Sequence, residues 1–390
     1  MDAQPLYDLE PALRLMLMGV AIALGPLAWV WLRNKDAAPA RRLQALTVLT
    51  LFLTFDLVLF GAFTRLTDSG LGCPDWPGCY GNASPLGAVA EITAAQSAMP
   101  TGPVTHGKAW IEMVHRYLAT GVGVLILTLA VASALLRRRQ PGKLPFSLWW
   151  PLLTLLWVCV QGAFGALTVT MKLFPAIVTL HLLGGLVLLA LLCVQAVRYG
   201  QATGAAPATP LAPATRSWLW LGFALVVLQV ALGGWVSTNY AVLACSEFPA
   251  CQGSWWPAMD FVQGFQLWRP LGLLQDGTHI SFAALTAIHY AHRLMAGIVF
   301  VVLGLLAWRL SRTTALRAQA GWIGGLLLWQ FATGLSNVVL GWPIVAAVSH
   351  TGGAAALVVA LTWALGSTRS GARAATPSLL EKSNAPRQIA

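Results

Sequence analysis

The sequence predicts an all-α polytopic membrane protein, and three observations support that fold class. Of its 390 residues, 57% are hydrophobic and only 9% are charged, whereas soluble globular proteins carry about a quarter charged residues. Long apolar runs recur along the chain, each long enough to cross a hydrocarbon core of roughly 30 Å as a helix. The basic residues are concentrated at one end of these runs. The chain is therefore expected to lie in a lipid bilayer.

The apolar runs predict nine membrane-spanning helices. They cover approximately residues 12–33, 43–65, 109–136, 148–170, 175–199, 216–238, 283–310, 318–340 and 344–366. Most of the 24 Lys and Arg residues lie between or after them, at 33–42, 137–147, 198–216, 309–317 and 369–390. The positive-inside rule makes these segments and the C-terminus cytoplasmic, and the N-terminus external.

The charge distribution also bears on partners and location. The net charge of +11 follows from the cytoplasmic segments, so nucleic acid is not expected as a partner. No Lys or Arg precedes the first apolar run, and we expect neither a cleaved signal nor a transit peptide. A bacterial inner membrane is the simplest location.

An internal repeat organises the chain, because segments 43–199 and 216–366 share landmarks in the same order. Gly61 is matched by Gly233, and Gln161 by Gln330. The repeat predicts two four-helix bundles with the same direction in the membrane. The remaining divisions are an extra N-terminal transmembrane helix with its cytoplasmic loop (1–42), a flexible linker (200–215) and a polar cytoplasmic tail (367–390).

Four of the six cysteines lie in the two long external loops, where disulfides persist. Three connectivities are open to them. We prefer the bonds Cys73–Cys79 and Cys245–Cys251, because each pair is separated by six residues in a turn that contains proline.

Four histidines lie inside the predicted spans at matched depths: His115, His181, His292 and His350. Each comes a few turns into a helix that starts at the external surface, which corresponds to a depth of about 9–14 Å. In each unit the second and fourth helices run in the same direction, so His115 can face His181, and His292 can face His350. Facing imidazoles at matched depth favour bis-histidine ligation of haem iron.

Two other interpretations of the histidines stay open. A single intramembrane histidine is usually a polar residue that joins helices by hydrogen bonding. Histidine pairs also bind zinc or copper, although no Asp, Glu or Cys completes a tetrahedral set in both halves. Repetition of the pair favours haem over both.

Three arginines near the external ends of the helices are candidate contacts for haem propionates: Arg65, Arg116 and Arg293. Arginine pairs with a carboxylate through two parallel hydrogen bonds. The alternative is that their side chains extend to the membrane interface.

Two intramembrane acids distinguish the halves. Glu112 lies one helical turn before His115, and His289 takes the matching position in the other half. A buried carboxylate beside a haem suits proton transfer, which predicts a catalytic role. The alternative is an ion pair with an arginine. Asp56 lies near the centre of its helix, where a hydrogen bond inside the bundle and a place in a proton path are both open, and we prefer the hydrogen bond.

Several motifs together resemble the haem A synthase family over about residues 43–366. They are GAFTRLTDSGLGCPDWPGC from Gly61 to Cys79, EMVHR from Glu112 to Arg116, and QGAFGALTV from Gln161 to Val169. The resemblance implies oxidation of the methyl group at carbon 8 of haem O to the formyl group of haem A, by two hydroxylations and loss of water. Haem A is then used in cytochrome oxidase.

The resemblance also implies roles for individual residues. Glu112 is expected to be catalytic, with His115 and His181 as ligands of the substrate haem O. His292 and His350 are expected to bind the iron of a fixed haem B. The first disulfide lies over the substrate site in the family, where a structural and a redox role are both open. Haem O synthase is the expected source of the substrate. The electron acceptor stays open, and so does the oligomeric state, for which a homo-oligomer is one alternative.

Two other function classes are alternatives for this sequence. A di-haem b-type cytochrome that relays electrons from quinol would need the same histidines but no Glu112. A transporter built on a repeat would carry helices broken near the midplane, whereas the polar clusters here lie near one surface.

Overall fold

The computed structural model describes residues 10–139, 147–204 and 207–370. Its helices are α1 (Glu10–Arg33), α2 (Pro39–Leu66), α3 (Val89–Ala98), α4 (His106–Arg139), α5 (Trp149–Thr170), α6 (Pro175–Ala202), α7 (Pro213–Thr238), α8 (Phe261–Gly264), α9 (Phe282–Ser311), α10 (Arg317–Val339) and α11 (Ile344–Gly366). Two short strands are β1 (Thr209–Leu211) and β2 (Thr368–Ser370). Proline opens α2, α6 and α7 at a position where its missing N–H would have no partner in the helix.

Eight of the described helices are long and apolar enough to cross a membrane, namely α1, α2, α4, α5, α6, α7, α9 and α11. The prediction of a polytopic all-α membrane protein is confirmed. Helix α10 falls outside this set although it has 23 residues. Polar residues along α10, among them Gln319, Gln330 and Asn337, make it less apolar than its neighbours.

The long helices after α1 form two rings of four. In the first ring, α2 and α5 each pack against both α4 and α6. In the second ring, α7 and α10 each pack against both α9 and α11. The helices that carry the histidine pairs, α4 with α6 and α9 with α11, therefore occupy opposite corners of their rings. The rings meet where α6 packs on α7 and α11, and α2 packs on α11.

Helix α1 packs on the outside of the first ring, mainly against α4. Small residues make this contact close: a Cβ added at Gly19 would lie 2.4 Å from Cγ2 of Thr120, and one at Gly121 would lie 3.0 Å from Cγ2 of Ile22. Close approach of backbones through small residues is the usual way in which helices associate in lipid.

The two ends of the rings differ. The first, which we call the disulfide end, carries the long loops at 67–105 and 239–281. The other, which we call the basic end, carries the connection between the rings. There α6 extends to Ala202 and α7 begins at Pro213, so the predicted linker is shorter than 200–215.

The connection at the basic end is also partly ordered. Strand β1 pairs in parallel with β2, which lies in the predicted tail. Arg216 donates a hydrogen bond to the carbonyl of Thr368 at 2.7 Å, and Gln201 donates one to the carbonyl of Gly366, also at 2.7 Å. These main-chain partners are the physical reason why this part of the linker holds a fixed conformation. Residues 371–390 of the predicted tail lie outside the described ranges.

Candidate functional site

Each of the four intramembrane histidines lies against a glycine of the preceding long helix. A Cβ added at Gly61 would lie 3.0 Å from Cε1 of His115, and one at Gly233 would lie 3.0 Å from Cε1 of His292. The corresponding separations for the pairs Gly165–His181 and Gly334–His350 are 3.5 and 3.1 Å. An added Cβ would press on the imidazole ring at Gly61, Gly233 and Gly334, whereas at Gly165 it would make an ordinary contact.

The first pair, His115 and His181, lies in apolar surroundings. The Nδ1 atoms of both rings are buried and have no hydrogen-bond partner among the described residues. The ring of Phe60 stacks on His115 with centroids 6.1 Å apart and planes inclined by 8°. Buried polar nitrogens normally have a partner, and these two Nδ1 atoms are exceptions among the described residues.

The second pair, His292 and His350, has polar neighbours. Nδ1 of His292 lies 3.0 Å from Nε2 of Gln229, and Nδ1 of His350 lies 3.0 Å from Oγ1 of Thr333. Gln330 adds a hydrogen bond from its amide to the carbonyl of His350 at 2.8 Å. Sequence reasoning missed Gln229 and Thr333, because an isolated polar residue in a helix carries no distinctive motif.

Glu112 is 4% exposed and uses both carboxylate oxygens. Oε1 forms an ion pair with Arg116 one turn later in α4. Oε2 accepts a hydrogen bond from the backbone N–H of Cys73 at 2.8 Å. The alternative of an ion pair with an arginine is therefore present in the structure, and Glu112 also connects α4 to the first disulfide loop.

Arg116 and Arg293 hold the two disulfide loops rather than extending into open space. Nη1 of Arg116 donates to three loop carbonyls, those of Asp75, Pro77 and Gly78. Arg293 donates to the carbonyls of Ala250 and Cys245. Because loop carbonyls accept from the terminal guanidinium nitrogens, these contacts favour loop anchoring over the predicted propionate contact, while Nε of Arg293 has no partner among the described residues.

Arg65 connects the two rings at the disulfide end. Its guanidinium donates to the carbonyl of Ser237, pairs with Asp68 at 3.2 Å, and lies 4.2 Å from the centroid of the Tyr240 ring. The hydroxyl of Tyr240 donates to Asp68 at 2.6 Å. Burial raises the pKa of Tyr240, an effect that Arg65 opposes and Asp68 reinforces. The cluster is a contact between halves, which differs from the propionate role predicted for Arg65.

His289, the counterpart of Glu112, also anchors a loop. It is 5% exposed, and its Nδ1 lies 2.9 Å from the carbonyl oxygen of Ala241. The matching positions in α4 and α9 therefore have the same structural task, with a carboxylate in one half and an imidazole in the other.

Both cysteine pairs at the disulfide end form disulfides, Cys73–Cys79 and Cys245–Cys251, with Cα atoms 4.9 Å apart in each. All four cysteines are fully buried. Exchange with a thiol carrier requires access to sulfur, so burial favours a structural role for these bonds.

Asp56 differs from expectation. Its side chain is exposed on the surface of α2 and forms no hydrogen bond within the described ranges. The predicted hydrogen bond inside the bundle is wrong, because the turn of α2 that carries Asp56 presents it away from the ring.

Comparison with known proteins identifies the family. The model of the COX15-CtaA family, described as cytochrome oxidase assembly protein, matches residues 44–362. This chain belongs to the COX15-CtaA family. The resemblance drawn from the motifs is thereby confirmed. Within the family, the chain is similar to the Heme A synthase of Shewanella oneidensis, with 41% identity over 80% of this chain and 92% of the relative. It is also similar to the Heme A synthase of Cereibacter sphaeroides, with 30% identity over 84% of this chain and 88% of the relative.

The residues of this COX15-CtaA chain fit a haem-type group. In the part of the chain that the structure describes, no three or more His, Cys, Asp or Glu side chains gather as a metal site, so the histidines stand as pairs. The members of each pair come from opposite corners of a helix ring, with a glycine beside each imidazole. Two imidazoles that approach from opposite helices suit bis-histidine ligation.

Proposed function

We propose that this chain is a haem A synthase, which oxidises the methyl group at carbon 8 of haem O to a formyl group and so supplies haem A for cytochrome oxidase. The observation that carries the proposal is the presence of two histidine pairs with unlike surroundings in one chain of the family. Relatives named for this activity match about four-fifths of the chain. A plain electron-transfer cytochrome would need no such difference between its halves.

The half at 43–199 is the substrate half in this proposal, with His115 and His181 as ligands of haem O. Its apolar surroundings, including Phe60 against His115, suit a hydrophobic substrate that enters and leaves. Glu112 is the candidate catalytic carboxylate. Its contacts with Arg116 and Cys73 hold it one turn from His115, where it can take up or release a proton during oxidation of the methyl group.

The half at 216–366 binds the resident haem B through His292 and His350. When bound, this cofactor supplies one-electron transfer. Gln229 and Thr333 lie within hydrogen-bond distance of the two imidazoles and orient them. The polar neighbours of this pair support its assignment as the permanent site.

The membrane arrangement follows from the same proposal. Nine spans include α10, which packs along α9 and α11 as the other ring members do. The two rings are repeats with the same direction, and α1 is an addition to them. The disulfide end faces outward from a bacterial inner membrane, with the N-terminus outside and the C-terminus in the cytoplasm. Haem O synthase supplies the substrate.

The test is haem analysis in cells that make haem O but lack their own haem A synthase. Expression of the wild-type chain is expected to yield extractable haem A, and Glu112→Gln to abolish it while the first site keeps haem O. Glutamine keeps an oxygen for the Cys73 N–H but cannot exchange a proton as a carboxylate does. Glu91→Gln is a matched control, since Glu91 is an exposed acid in α3 at the same end. Absence of any oxidised haem in the wild type would refute the function.

A further inference from the structure

The two histidine pairs differ in what their Nδ1 atoms contact. In the second pair each Nδ1 has a polar side-chain neighbour at 3.0 Å, Gln229 for His292 and Thr333 for His350. In the first pair, neither His115 nor His181 has such a neighbour among the described residues. This contrast concerns the atoms that face away from the iron when Nε2 is the ligand.

The repeat identifies the residues responsible. Gln229 comes one helical turn before Gly233, the glycine that faces His292, and Leu57 comes one turn before Gly61, which faces His115. Thr333 directly precedes Gly334, and Phe164 directly precedes Gly165. The glycine contacts fix this correspondence independently of any sequence alignment. Leucine and phenylalanine therefore stand where the second half has an amide and a hydroxyl.

The hydroxyl of Thr333 has a defined direction. It donates to the carbonyl of Trp329 at 2.8 Å, so its lone pair accepts from the Nδ1–H of His350. An imidazole that donates from Nδ1 has its proton there, which leaves the Nε2 lone pair free for iron.

Gln229 contacts His292 differently. Its amide nitrogen lies 3.0 Å from Nδ1 and 3.4 Å from Nε2 of the ring, and donates a hydrogen bond to the His292 carbonyl at 3.2 Å. The amide therefore holds the ring by contact along one edge and by the bond to its backbone, while Oε1 is buried without a partner among the described residues.

We propose that Gln229 and Thr333 are positioning residues that make the second haem resident, and that Leu57 and Phe164 make the first site exchangeable. This inference rests on the proposed function for the identity of the two haems. Hydrogen bonds to the outer nitrogen of a ligating histidine fix its tautomer and ring orientation, and losing one typically lowers metal affinity about 10–100-fold. A substrate must leave after oxidation, so ligands without such bonds suit the first site.

The test measures haem release from each site separately. A His115→Ala/His181→Ala background leaves only the second site, and a His292→Ala/His350→Ala background leaves only the first. Purified protein loaded with haem B is mixed with excess apomyoglobin, and haem transfer is followed by absorbance. In the first background, adding Gln229→Leu or Thr333→Val is expected to speed release about 10–100-fold. In the second background, adding Leu57→Gln and Phe164→Thr is expected to slow it.

Two further variants separate positioning from folding. Thr333→Ser keeps the hydroxyl and is expected to release haem at the rate of its parent. Gln229→Glu replaces the amide by a carboxylate that can accept the Nδ1–H of His292, and is expected to lower the midpoint potential of the second haem, with its bis-histidine spectrum retained. Parental release rates for Gln229→Leu and Thr333→Val, together with a parental potential for Gln229→Glu, would overturn the inference. Because haem B is the probe, this outcome is distinct from failure to form haem A.

Discussion

The carboxylate of Glu112 accepts a hydrogen bond from the backbone N–H of Cys73 at 2.8 Å, and thereby joins the histidine-bearing helix α4 to the first disulfide loop. The same carboxylate pairs with Arg116, which in turn binds three carbonyls of that loop. The candidate catalytic carboxylate of Glu112 therefore also anchors the first disulfide loop. Variants of Glu112 need a stability measurement beside an activity measurement.

Glu112→Ala is expected to destabilise the protein more than Glu112→Gln. Alanine leaves the buried guanidinium of Arg116 without its partner, and removing one member of a buried pair costs about 3–5 kcal/mol. Glutamine keeps an acceptor for Cys73 and costs less. Thermal unfolding in detergent, followed by intrinsic fluorescence, checks the order. Equal melting temperatures for the two variants would contradict the anchoring role.

The first disulfide is expected to act as a structural bond. Because Cys73 and Cys79 are fully buried, a thiol reductant should not reach their disulfide in the folded protein, so an alkylating agent added afterwards should label neither cysteine. After denaturation, the same treatment should label both. The double variant Cys73→Ser/Cys79→Ser lacks this cross-link. Its free energy of unfolding should fall by about 2 kcal/mol, and it should still form some haem A. Complete loss of haem A in a folded double variant would indicate a redox role instead.

Space opposite the imidazoles is expected to control haem binding at the first site. Gly61→Ala places a Cβ 3.0 Å from Cε1 of His115 and should displace the ring, lowering the haem content of that site. Gly165→Ala is the matched control, because its Cβ lies 3.5 Å from His181, an ordinary contact distance. The haem-to-protein ratio from absorbance tests the difference. Equal ratios would show that the ring moves freely.

Tyr240 is expected to ionise above its ordinary pKa of 10, since burial raises the pKa of its phenol. The phenol therefore ionises at a lower pH in the unfolded protein than in the folded protein. The stabilisation that the neutral Tyr240 phenol provides is complete below pH 10 and is lost as pH rises through the folded pKa. The difference between the ultraviolet pH titrations of the wild type and of Tyr240→Phe gives the pKa of the Tyr240 phenol. Tyr240→Phe keeps the ring over Arg65 and loses the bond to Asp68, at a cost of about 1 kcal/mol.

The sequence was sufficient for the polytopic all-α fold, because the length of an apolar run is a local signal. The sequence did not predict the hydrogen-bond partners of Arg116, because the three loop carbonyls lie close to its guanidinium only in the folded conformation of the first disulfide loop. Gln229 was missed for a related reason. A polar residue in a helix acquires meaning only when its neighbour across the bundle is known, although comparison with Leu57 at the matching repeat position could have drawn attention to it.

Asp56 and the linker show the other limit. Hydropathy predicts that an acid lies in a span but not which face of the helix carries it, and Asp56 lies on an exposed one. Composition likewise predicted a flexible connection at 200–215, whereas pairing of β1 with β2 depends on contact between segments far apart in the chain.

The central claim is that one chain holds an exchangeable substrate haem and a resident haem B, and the most direct test is the haem composition of purified ligand variants. Each protein is isolated from cells that make haem O, and its haems are extracted and separated by chromatography. His115→Ala/His181→Ala is predicted to keep haem B and to lose haem O and haem A. His292→Ala/His350→Ala is predicted to lose haem B while keeping haem O. Loss of the same haem from both variants would contradict the account.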